Sequence, residues 1–260
     1  MTNRRRLIMG ILIAALPFGC ASVAPVSEPV RVMTFNVRFD NPADGPDAWS
    51  ERRQRVAATI RDARVDLMGV QEALPHQLDE IEALLPELAW FGVGRNAELS
   101  GEYSAIYYRE DRFELLESDT FWLSETPSVP GSKSWDAAIE RIVTWGTLRD
   151  RRSGQVFHYF NTHFDHVGEI SRQQSARLLV RRIDEIAGTR DPVILTGDFN
   201  ATPSSEAIRI LKEEGDLADA RTVSQTASRG PDSTWNDFRA IVSGRRIDFI
   251  FVRGGIEVRS

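Results

Sequence analysis

Carboxylate and amide side chains recur in this sequence inside or directly after short apolar runs. Asn36 lies in VMTFNV, Glu72 ends LMGVQEA, Asp198 and Asn200 end VILTGDFNATP, and Asp248 lies in RRIDFIFV. A charged or polar side chain in a buried strand costs free energy unless it has a partner. Several strands that each supply such a group therefore predict that the groups converge on one site, where a metal ion or a substrate anion satisfies them together.

A further apolar run, VFHYFNTHFDH, leads into four polar side chains, which are Asn161, His163, Asp165 and His166. We expect this strand to deliver its polar residues to the same site. Either His163 or His166 could hydrogen-bond a phosphate oxygen or take part in proton transfer.

The types of these side chains narrow the choice of metal ion. Carboxylate and amide oxygens suit a hard cation such as Mg²⁺ or Mn²⁺. The sequence has one cysteine and no His pair at the helical spacing of zinc proteases. The set Asn36, Glu72, Asp198 and Asn200 could hold Mg²⁺ and still leave a carboxylate to activate water. The residues alone predict metal-assisted hydrolysis of a phosphate ester.

Each of these residues also has a purely structural interpretation. Asn36 alone could belong to a bulge or turn, and Glu72 could be the acidic residue before a helix that starts near Pro75. The segment GDFN could be a turn at the end of a strand, because Gly, Asp and Asn are turn formers. Together these interpretations require independent coincidences at the ends of five strands, so we favour a shared site.

The elements that must position these residues alternate along the chain from Val30 onwards. Short apolar runs alternate with amphipathic stretches, hairpins are present, and several strands lack the polar alternation of a half-exposed sheet. This pattern predicts an α/β protein with two mixed β-sheets packed face to face and helices outside. A chain of 260 residues with 42% hydrophobic content is enough for one large domain, which we place at residues 30–260.

The charge balance limits the class of partner. The 32 basic and 38 acidic side chains give a formal net charge of −6. This balance argues against a protein that holds nucleic acid mainly through a basic surface. It does not exclude an enzyme that meets phosphate through a metal ion.

The first 20 residues predict an export signal. Arg4, Arg5 and Arg6 precede an apolar run from Leu7 to Phe18, and Cys20 follows directly. This arrangement resembles a bacterial lipoprotein signal and predicts a protein of the cell envelope, attached to the membrane through a lipid on Cys20. Plain secretion with an unmodified cysteine is the alternative. Residues 21–29 would then form a short tether.

The motifs together resemble a known family. The segments VMTFNVR, GVQEA, NTHFDH, LTGDFNATP, STWNDF and RIDFIFV occur in the order found in the endonuclease/exonuclease/phosphatase superfamily, from about residue 30 to the end. That superfamily includes deoxyribonucleases, abasic-site endonucleases, deadenylases, inositol polyphosphate 5-phosphatases and neutral sphingomyelinases. The resemblance implies a four-layer sandwich of two mixed β-sheets between helices.

The resemblance also implies a role for each site residue. Glu72 would be the principal Mg²⁺ ligand, with Asn36 beside it, and Mn²⁺ could replace Mg²⁺. Asp198 would orient or deprotonate the attacking water, Asn200 would hold that water and a phosphate oxygen, and His163 would contact the scissile phosphate.

Three further residues complete the implied site. Arg141, in ERIVTW, falls where bacterial members often carry an arginine near the site, and we assign it with His166 to substrate binding. Asp248 would support a catalytic histidine through a hydrogen bond to its imidazole.

One motif of the family does not match. The family carries a Ser-Asp-His motif on the strand after the one that holds Asp248, whereas all four histidines here lie at or before His166. We expect that the chain lacks its final strand and motif. Without that histidine we expect the chain as given to be impaired in catalysis. The alternatives to an active phosphoesterase are an inactive fragment and an intact, non-catalytic relative that binds phosphate or metal.

The substrate stays open at this stage. A phosphorylated small molecule, a lipid head group and nucleic acid are all candidates for a protein that we expect to be a monomer. The acidic balance and the expected envelope location favour the first two. Residues 96–104 and 124–140 are the loops that we expect to set specificity.

Overall fold

Two mixed β-sheets form the centre of the fold in the computed structural model, which describes residues 28–260. The predicted export signal and Cys20 lie outside the described residues, as does most of the predicted tether. The last two residues of that tether, Glu28 and Pro29, contact the domain, because their carbonyl oxygens accept hydrogen bonds from Arg112 over 2.7 Å and 3.0 Å.

The smaller sheet has four strands, in the spatial order β1-β2-β4-β3. Strands β1 and β2 are parallel, and the other neighbours are antiparallel. Its strands are β1 (Val32–Asn36), β2 (Leu67–Gln71), β3 (Leu88–Phe91) and β4 (Ile106–Arg109).

The larger sheet has six strands, in the spatial order β5-β6-β7-β8-β10-β9. Strands β7 and β8 are parallel, and the other neighbours are antiparallel. Its strands are β5 (Phe113–Trp122), β6 (Ile142–Asp150), β7 (Val156–His163), β8 (Val193–Asp198), β9 (Ala218–Asp219) and β10 (Asp248–Arg253).

Helices cover the outer face of each sheet. A 3₁₀ segment, Pro42–Asp47, precedes the first of them. The α-helices are α1 (Trp49–Ala63), α2 (Pro75–Leu84), α3 (Glu169–Ala187), α4 (Glu206–Glu213) and the single turn α5 (Ala220–Val223). Within residues 28–260, no helix combines the length and the apolar character needed to cross a membrane.

Three buried clusters separate the four layers. Ile60 of α1 and Leu78 of α2 pack with Met68 of β2, whereas the neighbouring Leu67 belongs to the cluster between the sheets. Adjacent residues of a strand point to opposite faces, so β2 is buried on both. The third cluster joins α3 and α4 to the larger sheet. The predicted four-layer sandwich of two mixed sheets is therefore confirmed.

The two sheets touch at Gly69 of β2. A Cβ atom at this position would lie 2.1 Å from Oγ1 of Thr196 and 2.3 Å from Oδ1 of Asn161. The buried Asn161 donates from Nδ2 to the carbonyl oxygens of Val70 (2.8 Å) and Ala105 (2.9 Å), so it links the sheets. The prediction that Asn161 belongs to the site is therefore wrong, because its amide nitrogen donates hydrogen bonds to backbone carbonyl oxygens inside the sandwich.

Candidate active site

The topology brings the predicted site residues to one end of the sandwich. Asn36 is the last residue of β1, and Glu72 directly follows the parallel strand β2. In the other sheet, His163 and Asp198 end the parallel strands β7 and β8, and they are paired in register. Strand β10 runs antiparallel to β8, so its first residue, Asp248, lies at the same end.

Asn36 joins the two sheets at this end. Its Nδ2 atom donates to Oε1 of Glu72 over 2.8 Å and to Oδ2 of Asp198 over 3.0 Å. A single amide group therefore brings one carboxylate oxygen from each sheet to the same point.

The backbone after β1 holds both Asn36 and Glu72. The N–H of Arg38 donates to Oδ1 of Asn36 over 2.9 Å, and the N–H of Phe39 donates to Oε2 of Glu72 over 3.3 Å. Glu72 has a positive φ of 66°. A residue other than glycine in this left-handed region costs free energy, and such residues cluster at functional sites.

Asn200 and His163 form a second contact at the site. Nδ2 of Asn200 lies 2.9 Å from Nε2 of His163, and it also donates to the carbonyl oxygen of Phe164 over 3.0 Å. The backbone N–H of Asn200 donates to Oδ1 of Asp198 over 3.0 Å, in a turn where Asn200 has a φ of 46°. The sequence GDFN is thus both a turn and part of the site.

Burial sets the protonation of His163. Loss of solvent and the positive charges of Arg141 and Arg95 lower the pKa of His163 well below its ordinary value. His163 is therefore a neutral imidazole at pH 7, able to donate or accept a hydrogen bond.

Burial acts in the opposite sense on the two aspartates. It raises the pKa of Asp198 to about 6, against the hydrogen bond from Asn36, and the negative charge of Glu72 adds to the rise. Burial and the charge of Asp198 raise the pKa of Asp248 to about 8. Oδ1 of Asp248 is buried and has no hydrogen-bond partner among the described residues.

Arg141 and His166 lie together beside this group. Nη2 of the buried Arg141 is 3.1 Å from Nδ1 of His166, and both side chains line the groove that contains Glu72 and Asp198. Burial and the positive charge of Arg95 lower the pKa of Arg141. An arginine keeps its charge in proteins, so this guanidinium is a fixed cation at the site.

Asp165, which the sequence predicts to reach the shared site, lies fully buried beside Arg141 and organises the loops around Arg141 and His166. It accepts backbone hydrogen bonds from Ala138 and Ile139 on one side and from Val167 and Gly168 on the other. Burial alone would raise the pKa of Asp165, but these four donors outweigh it and lower that pKa. The sequence feature that pointed to Asp165 was its place in NTHFDH, directly before His166.

A further pair that the sequence analysis did not single out joins Arg95 to Glu102 of the first predicted specificity loop. Nη1 of Arg95 donates to Oε2 of Glu102 over 2.7 Å, and Glu102 lines the groove. Burial, together with the charge of Glu72, raises the pKa of Glu102 against the effect of Arg95. Arg95 directly follows the apolar run LAWFGVG and could have been found by the same pattern, whereas Glu102 lies in a polar stretch and could not.

The site opens into a groove with a volume of about 1020 Å³. Its walls include aromatic side chains and residues from both predicted specificity loops, among them Phe39, Glu102, Ile139, Trp235 and Phe238. A groove of this size accommodates a small ligand.

The donor set fits a hard cation. Oxygens of Glu72 and Asp198 meet at Nδ2 of Asn36, and Mg²⁺ is typically held by one or two carboxylates with water and substrate oxygens. Within residues 28–260, no group of three or more His, Cys, Asp or Glu side chains is arranged to hold a metal ion, as a zinc site would require. Asn36 presents its nitrogen to the carboxylates, so ligation through its oxygen requires rotation of the amide.

Comparison with known proteins finds similar sequences and similar structures. The model of the endonuclease/exonuclease/phosphatase family matches residues 33–260. The structure of a member of that family from Bacteroides vulgatus is 43% identical, with a TM-score of 0.85 and 89% of each chain covered. A mannosyl-6-phosphatase from Bacteroides thetaiotaomicron is 36% identical, with a TM-score of 0.84, and the match covers 89% of this chain and 88% of that one.

More distant similarity extends to eukaryotes. Nocturnin from Rattus norvegicus is 26% identical over 215 residues, which cover 73% of this chain and 47% of Nocturnin. The chain thus spans about half the length of the curated relatives it matches.

Proposed function

Because the chain belongs to the endonuclease/exonuclease/phosphatase family, we propose that it is a Mg²⁺-dependent hydrolase of phosphate esters, with Mn²⁺ as a possible substitute. Family members include phosphatases and nucleases, which act on such esters. The observation that carries the proposal is the hydrogen bonding of the Asn36 amide. It joins Glu72, at the end of the smaller sheet, to Asp198, at the end of the larger sheet.

The proposed reaction is attack of water on phosphorus. Glu72 and Asn36 would hold the cation, which when bound supplies positive charge to the phosphoryl oxygens. Asp198 takes a proton from the attacking water as the new P–O bond forms and the P–O bond to the leaving group breaks. The leaving oxygen takes up a proton from solvent in the open groove and departs as the alcohol. Its pKa of about 6 suits a base that works near neutral pH.

Other residues hold the phosphoryl group. Asn200 and the neutral His163 present hydrogen-bonding atoms beside Asp198, and the fixed charge of Arg141 faces the same groove. A positive charge that is already in place where negative charge develops stabilises the transition state without reorganisation. Nδ2 of Asn200 is engaged by His163 and Phe164, so Asn200 would exchange one of these contacts for the phosphoryl group. His166 supports this end of the groove through its contact with Arg141.

A phosphorylated small molecule is the substrate class that we propose first, and sugar phosphates lead within it. Support comes from the mannosyl-6-phosphatase, which is 36% identical, and from the acidic balance of the chain. Phospholipid head groups and nucleic acid remain in the proposal as further substrates to compare.

The test is a hydrolysis assay with the purified protein. Mannose 6-phosphate, inositol phosphates, sphingomyelin, RNA and plasmid DNA are each incubated with Mg²⁺, Mn²⁺ or EDTA, and released phosphate or cleaved product is measured. We expect metal-dependent release of phosphate from at least one small substrate. Absence of hydrolysis with every substrate and both metals contradicts the proposed function.

We also propose that the protein is exported and anchored through Cys20, and the sequence of residues 1–20 supports this part of the proposal. We further propose that the protein is a monomer. Cell fractionation of the wild type and of Cys20→Ala tests the anchor: the wild type should pellet with membranes, and the variant should not. Light scattering gives the mass in solution.

A further inference from the structure

Arg52, in the first turn of α1, binds the segment that follows β1. Its guanidinium is buried and donates to three backbone carbonyl oxygens: Nε to Asp47 (2.8 Å), Nη2 to Arg38 (2.7 Å), and Nη1 to Val37. The guanidinium also lies 5.2 Å from the ring of Trp49. Arginine can do this because its donors form a rigid planar fork.

Gln77, in the first turn of α2, binds the same segment from another side. Its fully buried side chain donates from Nε2 to the carbonyl oxygen of Arg38 over 3.0 Å. Its Oε1 accepts from the N–H groups of Asp40 (2.9 Å) and Leu74 (3.1 Å). The carbonyl oxygen of Arg38 therefore receives one hydrogen bond from each helix.

The segment held in this way is the one that positions two site residues. The N–H of Arg38 donates to Asn36, and the N–H of Phe39 donates to Glu72. The peptide unit between Arg38 and Phe39 thus accepts from Arg52 and Gln77 at its oxygen and donates to Glu72 at its nitrogen. A shift of this unit moves the donor away from the carboxylate.

We propose that Arg52 and Gln77 are positioning residues, which fix Glu72 for metal binding through the Arg38–Phe39 peptide unit. Only the expected loss of turnover in variants of Arg52 and Gln77 rests on the proposed function. The effect on metal binding can be measured without a substrate. Groups that orient metal ligands typically change metal affinity or activity by about 10- to 100-fold when they are removed.

The experiment compares Arg52→Lys and Gln77→Glu with the wild type. Lysine keeps the charge of residue 52 but lacks the fork, and glutamate keeps the oxygen that accepts from Asp40 and Leu74 but lacks the donor to Arg38. For each protein we measure the Kd for Mn²⁺ by electron paramagnetic resonance, kcat and KM with mannose 6-phosphate, and the Tm in EDTA. We expect each variant to bind Mn²⁺ about tenfold more weakly and to lose about tenfold in kcat, with a much smaller change in KM.

Arg253→Lys is the matched control. Arg253 is a buried arginine in β10 that also donates to a backbone carbonyl oxygen, that of Gly188 (2.6 Å), and it pairs with Asp184 over 2.7 Å. This control should lower the Tm and leave the Mn²⁺ affinity and kcat unchanged.

The outcomes separate the two proposals. If Arg52→Lys and Gln77→Glu change the Mn²⁺ affinity no more than Arg253→Lys does, the positioning role is wrong. A different result is that the variants bind Mn²⁺ more weakly while the wild type hydrolyses no phosphate ester. That result supports the positioning role and contradicts the proposed function. A wild type that binds no Mn²⁺ overturns both.

Discussion

Asp248 and Asp198 lie directly opposite each other on the antiparallel strands β10 and β8. Asp198 is buried, whereas Asp248 is half-buried with a buried Oδ1 atom. Burial and the charge of Asp198 raise the pKa of Asp248 to about 8. Like charges in a poorly solvated place disfavour ionisation. Without a cation, therefore, this pair opposes folding at alkaline pH.

Replacement of Asp248 by Asn should stabilise the metal-free protein at high pH. The carboxyl binds its proton more tightly in the folded than in the unfolded chain. Its contribution to stability is therefore complete below an ordinary pKa of about 4 and is lost as the pH rises through about 8. Asn cannot ionise, so in EDTA the variant should exceed the wild type by about 1–3 kcal/mol at pH 9.

Urea unfolding at pH 5 and pH 9 measures this difference. The gap between Asp248→Asn and the wild type should be larger at pH 9. A gap that is the same at both pH values shows that Asp248 does not titrate in this range.

Replacement of Asp198 by Asn should remove the proposed base. Because general base catalysis contributes about 10²- to 10⁴-fold, we expect kcat to fall by that factor. Steady-state kinetics with mannose 6-phosphate and Mg²⁺ give the value. Asp191→Asn is the control: this exposed aspartate precedes β8 at the opposite end and should leave kcat unchanged. A variant at position 198 that keeps full activity argues against this assignment.

Replacement of Glu72 by Gln should weaken the binding of Mg²⁺. The amide keeps one oxygen but loses the charge, so the Mg²⁺ concentration for half-maximal activity should rise by at least about tenfold. His76→Ala is the control, because His76 is a half-exposed residue in the first turn of α2, paired with Asp40. Equal Mg²⁺ dependence of Glu72→Gln and the wild type would show that Glu72 is not the ligand.

Replacement of Arg141 by Lys should impair catalysis despite the conserved charge. Lysine presents a point charge and cannot reproduce the planar contacts of the guanidinium at this buried position. We expect kcat/KM to fall by about 10²-fold, as for the loss of a donor to the developing charge. The exposed Arg149, at the other end of β6, provides the control as Arg149→Lys. An unchanged kcat/KM would remove Arg141 from the site.

Replacement of Asn161 by Leu should destabilise the fold. The substitution removes the side-chain donor to the buried carbonyl oxygens of Val70 and Ala105, of which Ala105 keeps the hydrogen bond from the N–H of Val70. We expect this loss to cost about 1–3 kcal/mol. Urea unfolding measures the loss, and Asn236→Leu in an exposed loop should change stability little. If Asn161→Leu is as stable as the wild type, the bridge between the sheets contributes nothing.

The fold and much of the site followed from one property of the sequence. Polar residues at the ends of apolar runs indicated strand ends, and parallel strands place those ends at the same edge of a sheet. Asn36, Glu72, His163, Asp198 and Asp248 were found in this way, and the structure brings them together.

The same property gave a wrong prediction for a polar residue buried between the sheets, because such a residue follows an apolar run just as a site residue does. Asn161 sits two residues before His163 on β7, yet it satisfies backbone groups between the sheets. Arg52 and Gln77 escaped notice because they lie in helices, where a polar residue is unremarkable until its partner is known. Such partners depend on tertiary distances, which a local pattern does not contain.

The contact between Asn36 and Asp198 spans 162 residues of sequence. One of these residues belongs to the four-stranded sheet and the other to the six-stranded sheet, so neither sheet alone contains the pair. During refolding, catalytic competence should therefore appear only when the two halves have docked. Recovery of the proposed hydrolase activity would then measure the rate of sheet association, separately from the spectroscopic signal of strand and helix formation.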